Sequence, residues 1–209
     1  MTDAPDPCYP PPPWTLTGVA IAAIWPMPID AVAPALPPGT RPIGLLGRTL
    51  VVGLFARYAG TLSYREVLLA APVREGRRPA LTILAIHVDD PASMAGARAL
   101  WAVPKQAAAF QFDEDENGAA EAVALRDGVL LARARTGRTR RLPLRWPIAF
   151  RVVQARADGE LVSTPVRATA RIGLGRPHWE VDPGGPYGLL AGRRPLLGLR
   201  LEAMRLTFG

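Results

Sequence analysis

His87-Val88-Asp89-Asp90-Pro91-Ala92-Ser93-Met94-Ala95-Gly96-Ala97-Arg98-Ala99-Leu100-Trp101-Ala102-Val103-Pro104-Lys105 carries two local codes in one segment. It opens as the end of an apolar, β-rich run, Ala80 to Val88, and then changes character. Asp followed by Pro and then by Ala and Met is a helix start: the acid caps orphan backbone N–H groups, and proline tolerates the first turn. That helix must be short, because Trp101-Ala102-Val103-Pro104 follows and cannot continue it.

Outward from this segment the chain reads as strands. Upstream, Leu16 to Ile24, a β-rich stretch within Arg41 to Tyr58, and Arg65 to Val73 precede Ala80 to Val88, with the polar turn Arg74 to Pro79 before the last. Pro26, Pro28, Pro34, Pro37, Pro38 and Gly39 mark a turn region. Downstream, Gln111 to Gly118 reads as an acidic turn. Glu121 to Leu125, Val129 to Arg135, Arg140 to Leu144, Ile148 to Ala155, Leu161 to Gly173 and Leu196 to Leu206 read as strands, and Arg176 to Gly192 as a loop. Many short strands at spacings of roughly 8–12 residues, with few helices, predict one mainly antiparallel β domain, closed or sandwich-like. Residues 1–13, with six prolines, read as an extended tail before a single domain over 14–209.

The 209-residue chain is 49% hydrophobic and 21% charged, outside the range of disordered chains. No apolar stretch approaches the roughly 18 residues of a membrane-spanning helix. Its acidic, proline-rich start is unlike a secretory signal. Cys8 is the single cysteine, so no disulfide can form within the chain and a cytoplasmic location is the default expectation.

The net charge of +7 is almost entirely guanidinium: of 25 basic residues only Lys105 is a lysine. Arginine serves for salt bridges and solubility, but its pKa above about 12 bars it from attacking a carbonyl. A solitary lysine is therefore the first place to look for amine chemistry. The cluster Arg133, Arg135, Arg138, Arg140, Arg141 and Arg145 fits a basic hairpin, but only Trp146 is near it. Sequence-tolerant nucleic-acid binding uses interleaved aromatics, so a solvated or oligomer-facing edge is the better reading, with no nucleic-acid or membrane partner expected.

Other chemistries lack their residues. Ser63, Ser93 and Ser163 are the only serines, no G-x-S-x-G occurs, and none lies near a histidine in sequence. No glycine pattern has phosphate-cradle spacing. One cysteine and two separated histidines cannot form a zinc site, and Asp113-Glu114-Asp115-Glu116 lacks calcium-loop spacing; no metal or cofactor is expected. His87, in an apolar strand, reads as a hydrogen-bonded core residue, and His178 as a loop residue.

The Val88-Asp89-Asp90 segment, the Ala/Met turn, and Val103-Pro104-Lys105 together resemble the acetoacetate decarboxylase superfamily, in which the lysine after proline forms a Schiff base. Tyr64-Arg65-Glu66 matches the Tyr-x-Glu of an earlier strand, and the 39-residue gap from Glu66 to Lys105 agrees with the family. The resemblance covers about residues 14 to 110 closely and the remainder loosely. It implies a barrel- or cone-like antiparallel β domain with a few short helices, Lys105 as nucleophile and Glu66 as its proton-handling partner. Tyr64 and Trp101 would line the pocket, and Arg98 or Arg57 would hold the carboxylate of a small or medium 3-oxo acid. It also implies homo-oligomers and chemistry ranging from decarboxylation to aldol, dehydration or cyclisation reactions.

Two positions depart from the family. Gly96-Ala97-Arg98 stands where Gly-Arg is usual, and Gln106 replaces a second lysine. A free lysine, with pKa about 10.4, is less than about one part in a thousand neutral at pH 7. Desolvation or a neighbouring cation activates such amines, as established for acetoacetate decarboxylase itself. Gln106 removes the second route and leaves the first. In an extended segment Trp101, Val103, Lys105, Ala107 and Ala109 share a face and position 106 points away, so the lysine's own face is apolar. The competing expectation is a non-catalytic barrel that binds an apolar or keto ligand and retains Lys105 by inheritance.

Overall fold

The computed structural model describes residues 8–116 and 119–209. Residues 1–7 of the expected tail, and 117–118 of the expected acidic turn, lie outside it. The chain begins with strand β1 (Trp14–Pro28), a helical turn α1 (Ile29–Val32) and three strands, β2 (Thr40–Pro42), β3 (Gly44–Leu45) and β4 (Arg48–Gly60). Next come β5 (Tyr64–Glu75), β6 (Arg78–Val88), helix α2 (Pro91–Trp101), β7 (Gln106–Ala107), β8 (Ala109–Glu114), β9 (Ala120–Arg126) and β10 (Val129–Thr136). The remainder comprises β11 (Arg140–Arg141), β12 (Trp146–Ala155), β13 (Leu161–Gly175), β14 (His178–Val181) and β15 (Leu197–Phe208). None of these helices is long and apolar enough to cross a membrane.

Seven strands close a barrel in the order β5-β4-β1-β15-β13-β12-β6, with β6 returning to β5. All its pairings are antiparallel except β6 with β12, a seam bridged at Leu81 and Val152. Buried Gln154 reinforces that seam, its Nε2 donating to the Ile83 carbonyl at 3.2 Å. A second sheet, β14-β10-β9-β8, packs on the outside of the barrel. The expectation of a mainly antiparallel closed β domain with few helices therefore holds.

The two layers follow from the period-two alternation of strands. Along β1, Leu16, Ala22 and Ile24 face the barrel interior, while Ile21, Ala23, Trp25 and Met27 face the second sheet. Along β5, Tyr64, Glu66 and Leu68 point inward, and Val67, Leu69 and Ala71 outward. A strand buried on both faces reads as a continuous apolar run rather than an alternating one, as β1 does. Trp179 of β14 joins the layers, edge-on to Trp25 with centroids 5.3 Å apart and at the same distance from Phe55. Gly53 lies beneath it, where an added Cβ would come within 2.9 Å of Trp25.

Four local expectations change. Pro26 and Pro28 lie within β1 rather than in a turn; β15 stops pairing at Ile24, so beyond it only β4 requires backbone donors. The Arg41–Tyr58 stretch divides at a two-residue hairpin, Leu46-Gly47, with φ of 51° and 74°. Gln111–Glu114 is strand, not turn, because Phe110 and Phe112 alternate with Gln111 and Asp113 and reach the inter-sheet core. The loop before β15 contains β14, whose Trp179 and Val181 are core residues. Arg133 and Arg135 lie on the outer face of the second sheet, paired with Glu121, and Arg133 also with Glu180.

His87 points from β6 into this inter-layer core. The Tyr187 hydroxyl donates to the Val67 carbonyl at 3.0 Å, so His87 Nδ1, 2.8 Å from the Tyr187 hydroxyl oxygen, must be the donor to it. Nε2 is then an unprotonated atom, buried and without a partner among the described residues. Burial first, and the Arg126 charge second, lower the His87 pKa from 6.5 to about 4.

Two measurements test this packing. In urea unfolding, Trp179→Ala is expected to cost about 3–5 kcal/mol, while the exposed Val129→Ala changes stability by less than about 0.5 kcal/mol; a Trp179→Ala cost below about 1 kcal/mol would mean the second sheet is loosely attached. Above pH 6.5 both folded and unfolded chains hold His87 neutral. As pH falls from 6.5 toward about 4, only the unfolded chain takes up the proton, and stability is lost. The unfolding free energy of wild type should therefore drop more than that of His87→Gln between about pH 7.5 and about pH 4.5; parallel drops would contradict a neutral buried imidazole.

Candidate active site

The site forms where α2 caps one end of the barrel. Asp90 accepts the Ser93 backbone N–H at 2.5 Å as N-cap, and Pro91 occupies the first turn. The helix runs three turns, to Trp101, and ends at Ala102, whose φ of 55° reverses the chain. The segment after it is held rather than loose: Val103 N–H donates to Ala97 O, and Lys105 N–H to Val103 O at 2.8 Å. Gly96 permits the helix to lie on the start of β1, since a Cβ there would sit 2.6 Å from the Trp14 ring.

These constraints aim the Lys105 side chain into the barrel, where the residue is only 5% exposed. Its Nζ lies 3.1 Å from Glu66 Oε2, donates to Ser93 Oγ at 2.9 Å, and stands 4.4 Å from the centre of the Tyr64 ring. Glu66, equally buried, arrives from β5. Its Oε2 makes no well-aligned hydrogen bond among the described residues, so the ion pair is its main compensation.

The adjacent aspartates act as braces. Asp89 accepts the Arg65 backbone N–H at 2.7 Å and pairs with the Arg65 guanidinium at 2.9 Å, fixing the residue between Tyr64 and Glu66. Asp90, through its cap, fixes Ser93. The two acids thus locate the partners of Lys105 from opposite sides.

Beyond the pair lies a cavity of about 320 Å³ inside the barrel. Trp101 lines it, edge-on to Trp14 and Phe208 at 4.7 Å. Tyr58 and Tyr64 line it near Glu66, 5.2 Å apart. Burial, then the Glu66 charge, pushes both phenols well above their ordinary pKa, so they remain protonated donors.

Of the residues expected from sequence, Lys105, Glu66, Tyr64 and Trp101 come together here. Arg57 and Arg98 do not. Period-two alternation turns Arg57, next to inward-facing Tyr58, to the outside of the barrel, where it pairs with Glu114 at 3.9 Å and covers the Phe112 ring. Arg98 lies on the exposed face of α2 and donates from Nε to the Lys105 carbonyl at 2.7 Å; it positions the lysine's backbone from behind. Gln106 points outward and accepts from Arg126 at 3.0 Å, so its position faces away from the Lys105 amine, whose neighbours are Glu66, Ser93 and the Tyr64 ring. Sequence reasoning missed Ser93 and Tyr58. Ser93 is three residues after the helix cap, a position turned back toward the preceding strand; Tyr58 pairs directly with Tyr64 across β4 and β5.

No curated protein matches the sequence. Among solved structures, the acetoacetate decarboxylase of Legionella pneumophila subsp. pneumophila str. Philadelphia 1 superposes with a TM-score of 0.70 at 18% identity, over 99% of this chain and 90% of that one. The enduracididine biosynthesis enzyme MppR complexed with pyruvate gives 0.69 at 17%, over 95% and 88%. An acetoacetate decarboxylase-like enzyme from Sphingomonas wittichii RW1 gives 0.68 at 15%, over 94% and 90%. At these identities the superpositions establish a shared fold. The model of the acetoacetate decarboxylase family matches residues 2–171, and with most of its length so matched the chain belongs to that family.

Proposed function

We propose that the protein is a Schiff-base enzyme, a carbon–carbon lyase in which Lys105 is the nucleophile and Glu66 moves the protons. The observation that carries this is a single amine, held 3.1 Å from a carboxylate at the closed end of an apolar cavity. With its proton passed to Glu66, the Lys105 amine attacks a ketone or aldehyde carbon. Glu66 returns the proton to the carbinolamine hydroxyl, water leaves, and a protonated imine remains beside a carboxylate. Electrons from a bond next to the former carbonyl then flow to nitrogen, giving an enamine. Glu66 is within reach to accept or supply the α-proton, and hydrolysis frees the amine. Ser93 Oγ holds Nζ in line, and the protonated Tyr58 and Tyr64 are available as donors.

The bond that breaks sets the reaction: C–CO₂⁻ in a 3-oxo acid, C–C in an aldol cleavage, C–O in a dehydration. MppR, of the same fold, is complexed with pyruvate and with the condensation product of pyruvate and imidazole 4-carboxaldehyde, which supports a range of carbonyl chemistry here. The apolar lining favours a second reading, a ligand carrier in which the lysine does no chemistry.

Borohydride reduction separates the two. Incubation with a panel of ketones, aldehydes and oxo acids followed by reduction and intact-mass measurement is expected to give an adduct in wild type and none in Lys105→Ala; no adduct with any carbonyl compound would leave the carrier. Glu66→Gln should retain the fold and lower turnover about 10²–10⁴-fold; activity within a few-fold of wild type would remove Glu66 from the proton path. Stability should run the other way. Lys105→Met leaves Glu66 buried and unpaired, and is expected to cost about 3–5 kcal/mol. The double variant Lys105→Met/Glu66→Leu should recover it and reach or exceed wild-type stability by about 1–4 kcal/mol while inactive, and a double variant as unstable as the single would show the pair is structural.

A further inference from the structure

We infer that the carbonyl compound taken by this site is an uncharged ketone or aldehyde with an extended apolar body, bound carbonyl end first at Lys105. The inference rests on the Schiff-base reading above and specifies its substrate class.

The lining of the cavity carries it. Glu66 and Lys105 are the only charged groups that line it among the described residues, and the two tyrosines beside them contribute its hydroxyls. Everything further in is hydrocarbon: Leu54 and Val52 on β4, Ile172 on β13, Leu199 on β15, Ile148 on β12. Along β4 this lining extends from Tyr58 to Val52, roughly 20 Å of strand at about 3.3 Å per residue. The polar chemistry is thus confined to one end, and a long apolar wall leads away from it. A two- or three-carbon substrate would use the polar end and leave that wall without a partner.

Charge balance gives the second constraint. Once Lys105 has become a protonated imine, its single positive charge is matched by Glu66. A substrate carboxylate would add a second negative charge to a buried site, next to Glu66, whose ionised oxygens only accept hydrogen bonds and so offer it none. Among the described residues no guanidinium lines the cavity to receive that carboxylate: Arg57 is engaged with Glu114 outside the barrel, and Arg98 is bound to the Lys105 carbonyl. An unpaired buried carboxylate is strongly disfavoured. A neutral carbonyl compound leaves the site electroneutral throughout.

For such a compound the minimal reaction needs no co-reactant. The imine's α-C–H bond breaks, its proton goes to the Glu66 carboxylate, and its electron pair forms the enamine double bond while the imine π pair moves to nitrogen. Return of a proton restores the imine, so in D₂O the ketone exchanges α-hydrogen for deuterium. Within the lyase reading, this substrate class directs the enzyme toward aldol cleavage rather than decarboxylation.

The test uses the unmodified protein in D₂O with acetone, 2-butanone, 2-hexanone, 2-octanone and 2-decanone, and with acetoacetate, levulinate and 7-oxooctanoate as charged counterparts. Deuterium incorporation is followed by mass spectrometry, with borohydride trapping of each compound. The expected result is a rate per unit concentration that rises roughly fourfold per added CH₂ until the cavity is filled, with 7-oxooctanoate at least about 100-fold below 2-octanone, the penalty of an unpaired charge. Adducts and exchange with acetoacetate or levulinate equal to or better than 2-octanone, or rates independent of chain length, would overturn the substrate class and leave the Schiff base standing. Absence of any adduct, with the neutral probe N-phenyl-1-naphthylamine still bound, would overturn both.

Discussion

A lysine and a glutamate face each other at 3.1 Å inside a barrel whose lining is otherwise mostly apolar, and the surrounding structure serves to keep them there. A buried ion pair is a weak source of stability, because desolvating both charges offsets most of their attraction. Its retention here is therefore better explained by chemistry than by folding. The burial that makes the pair a poor stabiliser is what suits its amine and carboxylate to the proposed reaction: protons would pass between groups little exposed to bulk water, and charge formed on the substrate would be answered by charge already in place.

The neighbouring elements do the holding. Helix α2 closes the end of the barrel and supplies Ser93; Asp90 starts that helix, and Asp89 ties its entry to β5 through Arg65. Arg98 grips the Lys105 carbonyl from the solvent side. Each of these polar residues acts on the backbone or on a flank of the site, and none enters the cavity. The second sheet has a parallel role. By covering the outer faces of β1, β4 and β5 it makes those strands apolar on both sides, and it fixes the strand from which Glu66 projects. His87 and Tyr187 form a hydrogen-bonded bridge inside that mainly apolar contact, ending on the Val67 carbonyl, one residue from Glu66.

Family membership and cavity chemistry bear on different questions. Membership, with the shared fold, makes a carbonyl-handling enzyme the natural reading. The lining then separates this chain from the simple expectation of a small oxo acid, because the cations expected to hold a carboxylate are turned outward and engaged elsewhere. Gln106 fits the same picture: the position where the family carries a second lysine faces Arg126 and the outside, so the environment of Lys105 is set by burial.

Much was legible in the chain itself. A solitary lysine among arginines, an Asp-Asp-Pro helix start, a Pro-Lys after it and a Tyr-x-Glu at the matching distance pointed to the buried amine, the carboxylate beside it and the capping helix, because local signals such as caps and residue chemistry act over a few neighbours. The barrel strands were likewise readable from apolar, β-branched runs between turn residues. What only the tertiary structure decided was which way side chains face once strands are paired. Register placed Arg57 outside and Tyr58 inside, brought Ser93 to the amine, carried Pro26 and Pro28 into a strand end paired on one side only, and converted an acidic stretch into a strand through Phe110 and Phe112. Facing depends on pairing between residues far apart in sequence, and a shift of one residue reverses it; composition and short-range pattern contain no record of that choice.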